Sequence, residues 1–412
     1  MNPLKDSVRI EDPAFYLDDP RPVFARMRAE APVFYYEPLD MWVLSKYEDV
    51  QHVGRSPLVF TTAEGFHIND FRYGLIISAF FPPDAEVITL LGPPRHDDVR
   101  RVVQPSFSPR VMSGLEGRIR EICQDLLDKV KPGAPVDWTN AVATPLPAIA
   151  IAMLLGMPVE DQDKLLHWSD EIMKVGSARS HEELMEAAGG LGPMRLYFEE
   201  HLERIRQNPG DDVVSALLAA RDAGTISHET VHMMISGLMT AGNETTRNVL
   251  SGGIAALAQR PAEYEKIGMD AQTTKNAAEE LLRWVSPVRG FGRTVVEETE
   301  VRGQVMHPGQ RVFNFFMAAN FDEEVFPHSN NLDVSRKFDQ THLAFGFGQH
   351  ACLGAALARL EIRVLLEELR KRFSTVRLAG EPEMDRKVLF GNHWSSVPVI
   401  FDPEADHAGA AQ

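Results

Sequence analysis

The sequence predicts a mainly α-helical protein with small β-sheets packed against it, and three observations carry that expectation. Residues 227–259 form an apolar helical stretch long enough to cross a domain, about 33 residues or ~50 Å at ~1.5 Å per residue. Leu115, Ile119, Ile122, Leu126 and Val130 recur at the spacing of one amphipathic helix face. The strand-like runs, by contrast, are short and scattered.

Taken along the chain, Val33–Tyr36 and Met41–Leu44 read as a strand pair around the turn Glu37-Pro38-Leu39-Asp40. Residues 60–94 are irregular, rich in Phe, Gly and Pro, and too long for a plain connection, a property of functional loops. Residues 141–159 are uncharged and, at ~19 residues, near the length of a membrane span. Pro145, Pro147, Gly156 and Pro158 interrupt them, and an interior proline costs a helix ~3 kcal/mol, so a buried helix with kinked flanks is expected. Ser227 is placed to cap the long helix, which stops before Arg260-Pro261. Met233, Met234, Leu238, Met239, Leu250, Ile254 and Leu257 make it apolar on most sides, so it should be central. A second strand pair surrounds Arg302-Gly303, residues 312–316 supply a further strand, and residues 354–373 a last long helix. No repeat, low-complexity tract or Gly/Ser linker divides the chain, and residues 1–412 are read as one domain.

Composition narrows the function. Lys+Arg 42 against Asp+Glu 59 gives 42 − 59 = −17, which opposes a broad phosphate-binding surface and so nucleic acid. The 44% hydrophobic and 25% charged residues are a globular balance that excludes disorder. Two cysteines, Cys123 and Cys352, cannot build a disulfide framework or a Cys₄ zinc site. The start Met1-Asn2-Pro3-Leu4-Lys5-Asp6 lacks the basic-then-apolar order of a secretory signal. A cytoplasmic protein that neither spans nor binds membranes is expected.

Three short patterns compete to name a chemistry. His228-Glu229-Thr230-Val231-His232 has the zinc-protease spacing, two imidazoles on one helix face with Glu229 as general base. It lacks a third ligand: Ile235 stands where the extended motif wants Gly, and Glu244 lies too far along the same helix. Gly346-Phe347-Gly348-Gln349-His350-Ala351 fits a dinucleotide fingerprint, but no β-α units follow it. The same residues belong to a longer pattern, Phe345-Gly346-Phe347-Gly348-Gln349-His350-Ala351-Cys352-Leu353-Gly354. This Gly-rich loop delivers a cysteine to a helix start, where backbone N–H groups and the helix dipole favour a thiolate. A buried free cysteine is the plain alternative; it suits Cys123 on its amphipathic helix but leaves the glycines unexplained.

That loop resembles the heme signature of soluble bacterial cytochromes P-450, and further motifs follow in family order. Glu280-Leu281-Leu282-Arg283 is similar to the family's E-x-x-R, Ala241-Gly242-Asn243-Glu244-Thr245-Thr246 to its oxygen-activation motif, and Pro93-Pro94-Arg95-His96-Asp97-Asp98-Val99-Arg100-Arg101 to its P-P-x-H-x-x-x-R-R segment. The resemblance implies the cytochrome P-450 fold, with the long central helix lying over a heme b. Cys352 is the implied iron ligand, Phe345 is implied to pack near the porphyrin face, Gly346 and Gly354 are implied to bind the cofactor with it, and the heme propionates fall to His96, Arg100, Arg293 and His350. Gly346 and Gly348 are expected to let backbone approach the ligand sulfur. Glu244 and Thr245 are the implied catalytic pair, with Thr245 facing the oxygen and Glu244 turned toward a proton relay. Glu280 and Arg283 are implied to lock their helix to the loop before the signature. In Phe326-Pro327-His328-Ser329-Asn330-Asn331-Leu332-Asp333, Asn331 replaces the usual Arg, so a different or weaker lock is expected.

The implied reaction inserts one atom of O2 into a small hydrophobic substrate, with electrons from a separate iron–sulfur ferredoxin and its NAD(P)H-dependent reductase. Arg100, Arg101, Arg110, Arg359, Arg363 and Arg370 are candidates for a basic docking patch. The expected pocket comprises Phe66, Phe71, Leu238, Met239, Ala241, Val288, Phe291 and Phe390, with Tyr73, Leu75 and Ile76 in the adjoining loop. The segments around Met41-Trp42-Val43 and Ser286-Pro287-Val288 are similar to bacterial terpenoid hydroxylases, favouring a terpenoid-like substrate. Arg72 or Arg289 anchoring a carboxylate would make fatty or aromatic acids, or otherwise a steroid, the alternative. A non-catalytic heme sensor or carrier and a zinc hydrolase are the readings from other classes.

Overall fold

The computed structural model describes Leu4 and residues 7–74, 81–385 and 390–403; Leu75 and Ile76 lie outside them. The helices that frame the site are α1 (Arg95–Val103), α2 (Pro109–Leu127), α3 (Pro145–Leu154), α4 (Gln162–Ser177), α5 (Gly192–Gln207), α6 (His228–Ala258), α7 (Ala271–Val285) and α8 (Ala355–Arg372). Ser227 caps α6 as the sequence predicts, its hydroxyl accepting the Thr230 N–H at 2.9 Å. The 31-residue helix packs against α3, α4, α7 and α8 and is buried over most of its length. Gly242 makes one of these approaches possible: a Cβ there would come within 2.9 Å of Ile151 on α3.

The proline-interrupted stretch is a buried element, a π-helical turn Thr139–Ala143 leading into α3. Trp138 just before it donates its indole N–H to the Leu250 carbonyl of α6 at 3.1 Å. No described helix is long and apolar enough to cross a membrane.

The main sheet contains β1 (Val33–Tyr36), β2 (Met41–Leu44), β3 (Phe60–Thr61), β4 (Phe291–Val295) and β5 (Arg311–Asn314) in the order β1-β2-β5-β4-β3. Its pairs are antiparallel except β2 with β5, and Arg293 sits opposite Val312 in the β4–β5 register. β5 ends at Asn314, short of the expected Phe316, because the chain bends there into the helical turn Phe316–Ala319. Phe315 enters the N-terminal core with Phe313, and Phe316 the core beneath the sheet with Val312, so the strand's alternation of faces carries on into the turn. The hairpin at Arg302-Gly303 forms as predicted, from Thr299–Val301 and Gln304–Met306.

Glu280 and Arg283 make a bidentate ion pair at 2.7 and 2.8 Å, both side chains fully buried. Of the two outcomes expected from Asn331, a different or a weaker lock, the structure has the first, with Arg336 joining the pair. Its Nε donates to Glu280 Oε2 at 3.0 Å, and its other nitrogens reach the carbonyls of Pro327, His328 and Asn331. An arginine five residues further on thus takes the place, and Asn331 contributes only backbone.

Glu361 of α8 is buried without an ion-pair partner among the described residues, its Oε2 unbonded by them, and burial alone pushes its carboxyl well above the ordinary range. An acid whose folded-state pKa is raised favours the fold at low pH, and that contribution is lost as pH rises toward the raised value. Glu361→Gln should remove this slope. Urea unfolding at pH 5 and pH 8 should show the variant gaining on the parent at the higher pH, by up to about 1.4 kcal/mol per pH unit.

Candidate active site

Cys352 is carried on a loop whose shape its glycines set. Gly346 and Gly348 have φ of 65° and 77°, a region closed to most side chains. Gly348 also meets the backbone of Gly54 so closely that a Cβ would overlap it, at 1.8 Å from the Gly54 carbonyl oxygen. The expected approach of these two glycines to the sulfur is therefore corrected: their task is the turn and the contact with residue 54. Gly354 is the one beside the sulfur, where a Cβ would lie 4.0 Å from Sγ. The Cys352 N–H donates to the Phe345 carbonyl at 2.9 Å, closing the loop, and Phe345 lies under the Arg359 guanidinium at 4.5 Å. Burial raises the thiol pKa against the lowering influence of the Gly354 N–H, Arg100, Arg359 and the Ala355 N–H. The Cys352 side chain is itself exposed, and a bound ferric ion would stabilise its thiolate.

Beside this loop the chain gathers cationic and imidazole groups. Arg293 is 6% exposed, donates to the Gly292 carbonyl at 2.7 Å, and pairs with no carboxylate among the described residues. Burial brings its guanidinium down to about 10. Arg100 donates to the Ala351 carbonyl at 2.8 Å and to that of Gln349 at 3.3 Å. The His96 ring is buried 4.5 Å from that of His350. Burial, Arg293, His96 and Arg100 together depress His350 to about 3, so its imidazole is neutral. The acid in contact, Asp97, is half-exposed and held by His96 and Gln349. A buried cluster of this sign wants an anion of more than one charge. The two propionates of heme b fit it, and a sulfur next to unsaturated backbone donors fits the iron.

Above the loop, α6 contributes a second fit. Gly237 and Ala241 are exposed and Thr245 half-buried, at i, i+4 and i+8 in the middle of an otherwise buried helix, so one narrow stripe of α6 lines an internal hollow. Nothing would meet a Cβ at Gly237. The Thr245 hydroxyl donates to the Ala241 carbonyl at 2.7 Å, leaving its oxygen free to accept. Glu244 points elsewhere. It is 1% exposed, with Oε2 3.0 Å from His393 Nδ1 and Oε1 3.4 Å from Arg247. Burial raises its pKa, but His393 and Arg247 outweigh that and hold it below the ordinary value, ionised. Asp170, exposed on α4, feels the Glu244 charge, so the buried carboxylate is coupled to the surface.

Of the expected pocket residues, Phe66, Phe291 and Phe390 cluster, with ring centroids 5.1 Å apart for the first pair and 6.3 Å for the second. Val288 lies in the core against them, and Leu238 and Ala241 lie on or beside the α6 stripe. Phe71 and Met239 are corrections. Phe71 turns into the N-terminal core against Gly292, and Met239 is 1% exposed in the main core, because each points from the opposite face of its helix. His67 was missed. It sits between Phe66, Phe291 and Phe390, with burial lowering its pKa, and caps a short helix by exchange with Asp70. The proposed carboxylate anchors are engaged: Arg289 donates to Asn392 and lies 3.7 Å over Tyr16, and Arg72 reaches the Glu11 carbonyl.

The remaining motifs resolve differently. Arg359 pairs with Glu279 and Arg363 with Glu116 and Glu367, while Arg370 holds three carbonyls and Arg101 pairs with Asp98. Of the six arginines, Arg100 and Arg101 line a groove that reaches Leu353, beside the cysteine, with Arg101 also paired to Asp98. In the H-E-x-x-H segment, Glu229 is spent in a bidentate pair with Arg195 at 2.6 and 2.7 Å. It has no freedom to act as a general base.

A helical fold built around one long helix, with a cysteine loop beside a cation cluster that seeks an anion and an open stripe ending at Thr245 on that helix, defines a heme-thiolate oxygenase. Residues 30–393 match the family model for cytochrome P450. The chain is 30% identical to linalool 8-monooxygenase of Pseudomonas putida, over 96% of this chain and 99% of that protein. It is 32% identical to a methyl-branched lipid omega-hydroxylase of Mycobacterium tuberculosis, over 87% and 86% respectively. Among solved structures it is similar to cytochrome P450-153 from Novosphingobium aromaticivorans, with TM-score 0.85 and 30% identity over 95% and 99% of the two chains. It is also similar to CYP109E1 from Bacillus megaterium in complex with testosterone, with TM-score 0.79 and 29% identity over 92% and 97%. The chain belongs to the cytochrome P450 family, as a monooxygenase that uses heme b.

Cys352→Ala should leave heme loosely held and abolish the thiolate-type CO spectrum. Cys123→Ala, at the buried free cysteine of α2, should retain it. The reverse pattern would assign the ligand to Cys123.

Proposed function

We propose that this P450 hydroxylates a small hydrophobic, terpenoid-like substrate, drawing electrons from a separate iron–sulfur ferredoxin and its NAD(P)H-dependent reductase in the cytoplasm. The observation that carries the substrate class is the aromatic lining of Phe66, Phe291 and Phe390, beside which Arg72 and Arg289 are already engaged. Arg289 is 1% exposed, buried between Tyr16 and Asn392 and closed to a substrate carboxylate, which counts against fatty and aromatic acids. The likeness to linalool 8-monooxygenase along nearly its whole length supports the same class. A longer branched lipid or a steroid is the second reading, favoured by the omega-hydroxylase relative and the testosterone-bound neighbour.

Bound heme supplies the iron chemistry that splits O2, one atom going to substrate and the other to water. The chain's own part is to seat the group, exclude water and deliver protons. Cys352 ligates the iron, His96, Arg100, Arg293 and His350 hold the propionates, and Phe345, Gly346 and Gly354 fix the loop. Thr245 presents a hydroxyl oxygen at the α6 stripe, and Glu244, with His393, passes protons inward from the Asp170 surface. The groove of Arg100, Arg101 and Leu353 suits an acidic ferredoxin, since complementary charge speeds docking even on a chain of net charge −17.

Two measurements test this. Monoterpenoid alcohols, fatty acids and steroids are screened for the low-to-high-spin shift of the heme spectrum; the terpenoids should shift it at the lowest concentration, and a fatty acid doing so would overturn the substrate class. In coupled turnover with ferredoxin and reductase, Thr245→Ala should still accept electrons but release severalfold more hydrogen peroxide per NADH. Glu244→Ala should slow oxygen-dependent turnover and enlarge the solvent isotope effect. Unchanged coupling in both would remove this pair from proton delivery, and heme binding without any product would favour a sensor or carrier.

A further inference from the structure

The H-E-x-x-H segment, useless for hydrolysis, has a partner that sequence spacing cannot supply. Glu199 projects from α5 onto the first turns of α6, where His228 and His232 share a face at i and i+4. Both Nε2 atoms lie 3.0 Å from the same carboxylate oxygen, Glu199 Oε1. One donor atom from each residue lies within 4.8 Å of the others, and the two rings are 4.9 Å apart. We propose that Glu199, His228 and His232 form a site for a divalent first-row transition metal ion of the Zn²⁺ or Ni²⁺ class, which staples α5 to the start of α6.

Three features favour a metal over a plain hydrogen-bond cluster. Donors around a tetrahedral zinc with bonds of ~2.0–2.1 Å are about 3.3 Å apart, so two of the three separations already approach the needed value. The set is two imidazoles and one carboxylate, which suits zinc, nickel, cobalt or copper rather than the oxygen-seeking Mg²⁺ or Ca²⁺. The competing cation is also neutralised: Arg195 sits 3.8 Å from Glu199 but gives its bidentate bond to Glu229. The site is anchored on one side and open on the other, with the His232 side chain 3% exposed, His228 37% and Glu199 42%. The α6 dipole opposes a cation at its N-terminus, but that effect is small beside three ligand bonds and is screened at this open edge. With Glu229 engaged and no aligned base, the bound ion would be structural.

The staple would act on the wall of the substrate side. Phe198 of α5 packs against His232 of α6 and against Trp168 of α4, and the far end of α4, at Gly176 and Ser177, borders a cavity with His67 and Phe390. An ion fixing α5 to α6 therefore restrains α4 through the same rings.

The test uses heme-loaded protein stripped with a chelator and titrated with ZnCl₂ by calorimetry. The expected result is one zinc per chain, a thermal midpoint raised by a few degrees, and binding weakened at least tenfold in each of His228→Gln, His232→Gln and Glu199→Gln. Heme content and the zinc-free midpoint of His228→Gln, on the exposed side, should match the parent, so its loss of zinc reads as loss of a ligand. No stoichiometric binding to the parent, or zinc binding unchanged in the three variants, would overturn the site and send any zinc to the other histidines.

Discussion

Everything near the cysteine depends on one buried charge cluster, Glu280 held between Arg283 and Arg336. Removing one partner of such a pair costs about 3–5 kcal/mol because a buried charge is left uncompensated, whereas replacing all of it with apolar groups can be neutral. Its value therefore lies in geometry. Arg283 reaches the Asn320 carbonyl at 2.9 Å, and the Asn320 side chain binds Ser286 Oγ and the Leu343 N–H. Leu343 opens the turn that ends at Phe345, whose carbonyl closes on Cys352. The position of the cysteine is thus referred back, bond by bond, to a helix at the centre of the fold.

The two sides of the hollow are charged in opposite senses, for different physical reasons. On the cysteine side, half-buried Arg100 and buried Arg293 hold only carbonyls among the described residues, which leaves a deficit of negative charge that a dianionic group relieves. On the α6 side, a carboxylate stays ionised inside the protein because His393 and Arg247 compensate its burial. Protonating Glu244 would leave those two groups facing each other without their anion.

What the sequence made legible was local. The Ser227 cap, the apolar length of α6, the strand pair at residues 33–44 and the cysteine loop all depend on neighbours within a few positions. What it hid was carried by residues far apart in the chain. Arg336 fills the place vacated at Asn331, His393 answers Glu244 from the C-terminal strands, and Glu199 completes a histidine pair from another helix. Facing was the second blind spot. Phe71 and Met239 have the right chemistry for a pocket, but which side of an element meets a hollow depends on crossing angles that composition does not encode.

The helical period explains why one element can serve oxygen, protons and packing together. Consecutive residues of an α-helix are about 100° apart, so Thr245 and Glu244 cannot share a direction, whereas positions four apart nearly do. Gly237, Ala241 and Thr245 thereby form a stripe of small or hydroxylic side chains that leaves room beside the helix. Glu244 and Arg247, three apart, fall together on the neighbouring face, where His393 waits. Moving the acid by one position would put its charge into the apolar hollow and strip it of both partners, raising its pKa and repelling an apolar guest. The order Glu-Thr thereby gives each side chain its own surroundings: Thr245 lies on the open stripe, and Glu244, one step behind it, is buried against His393 and Arg247.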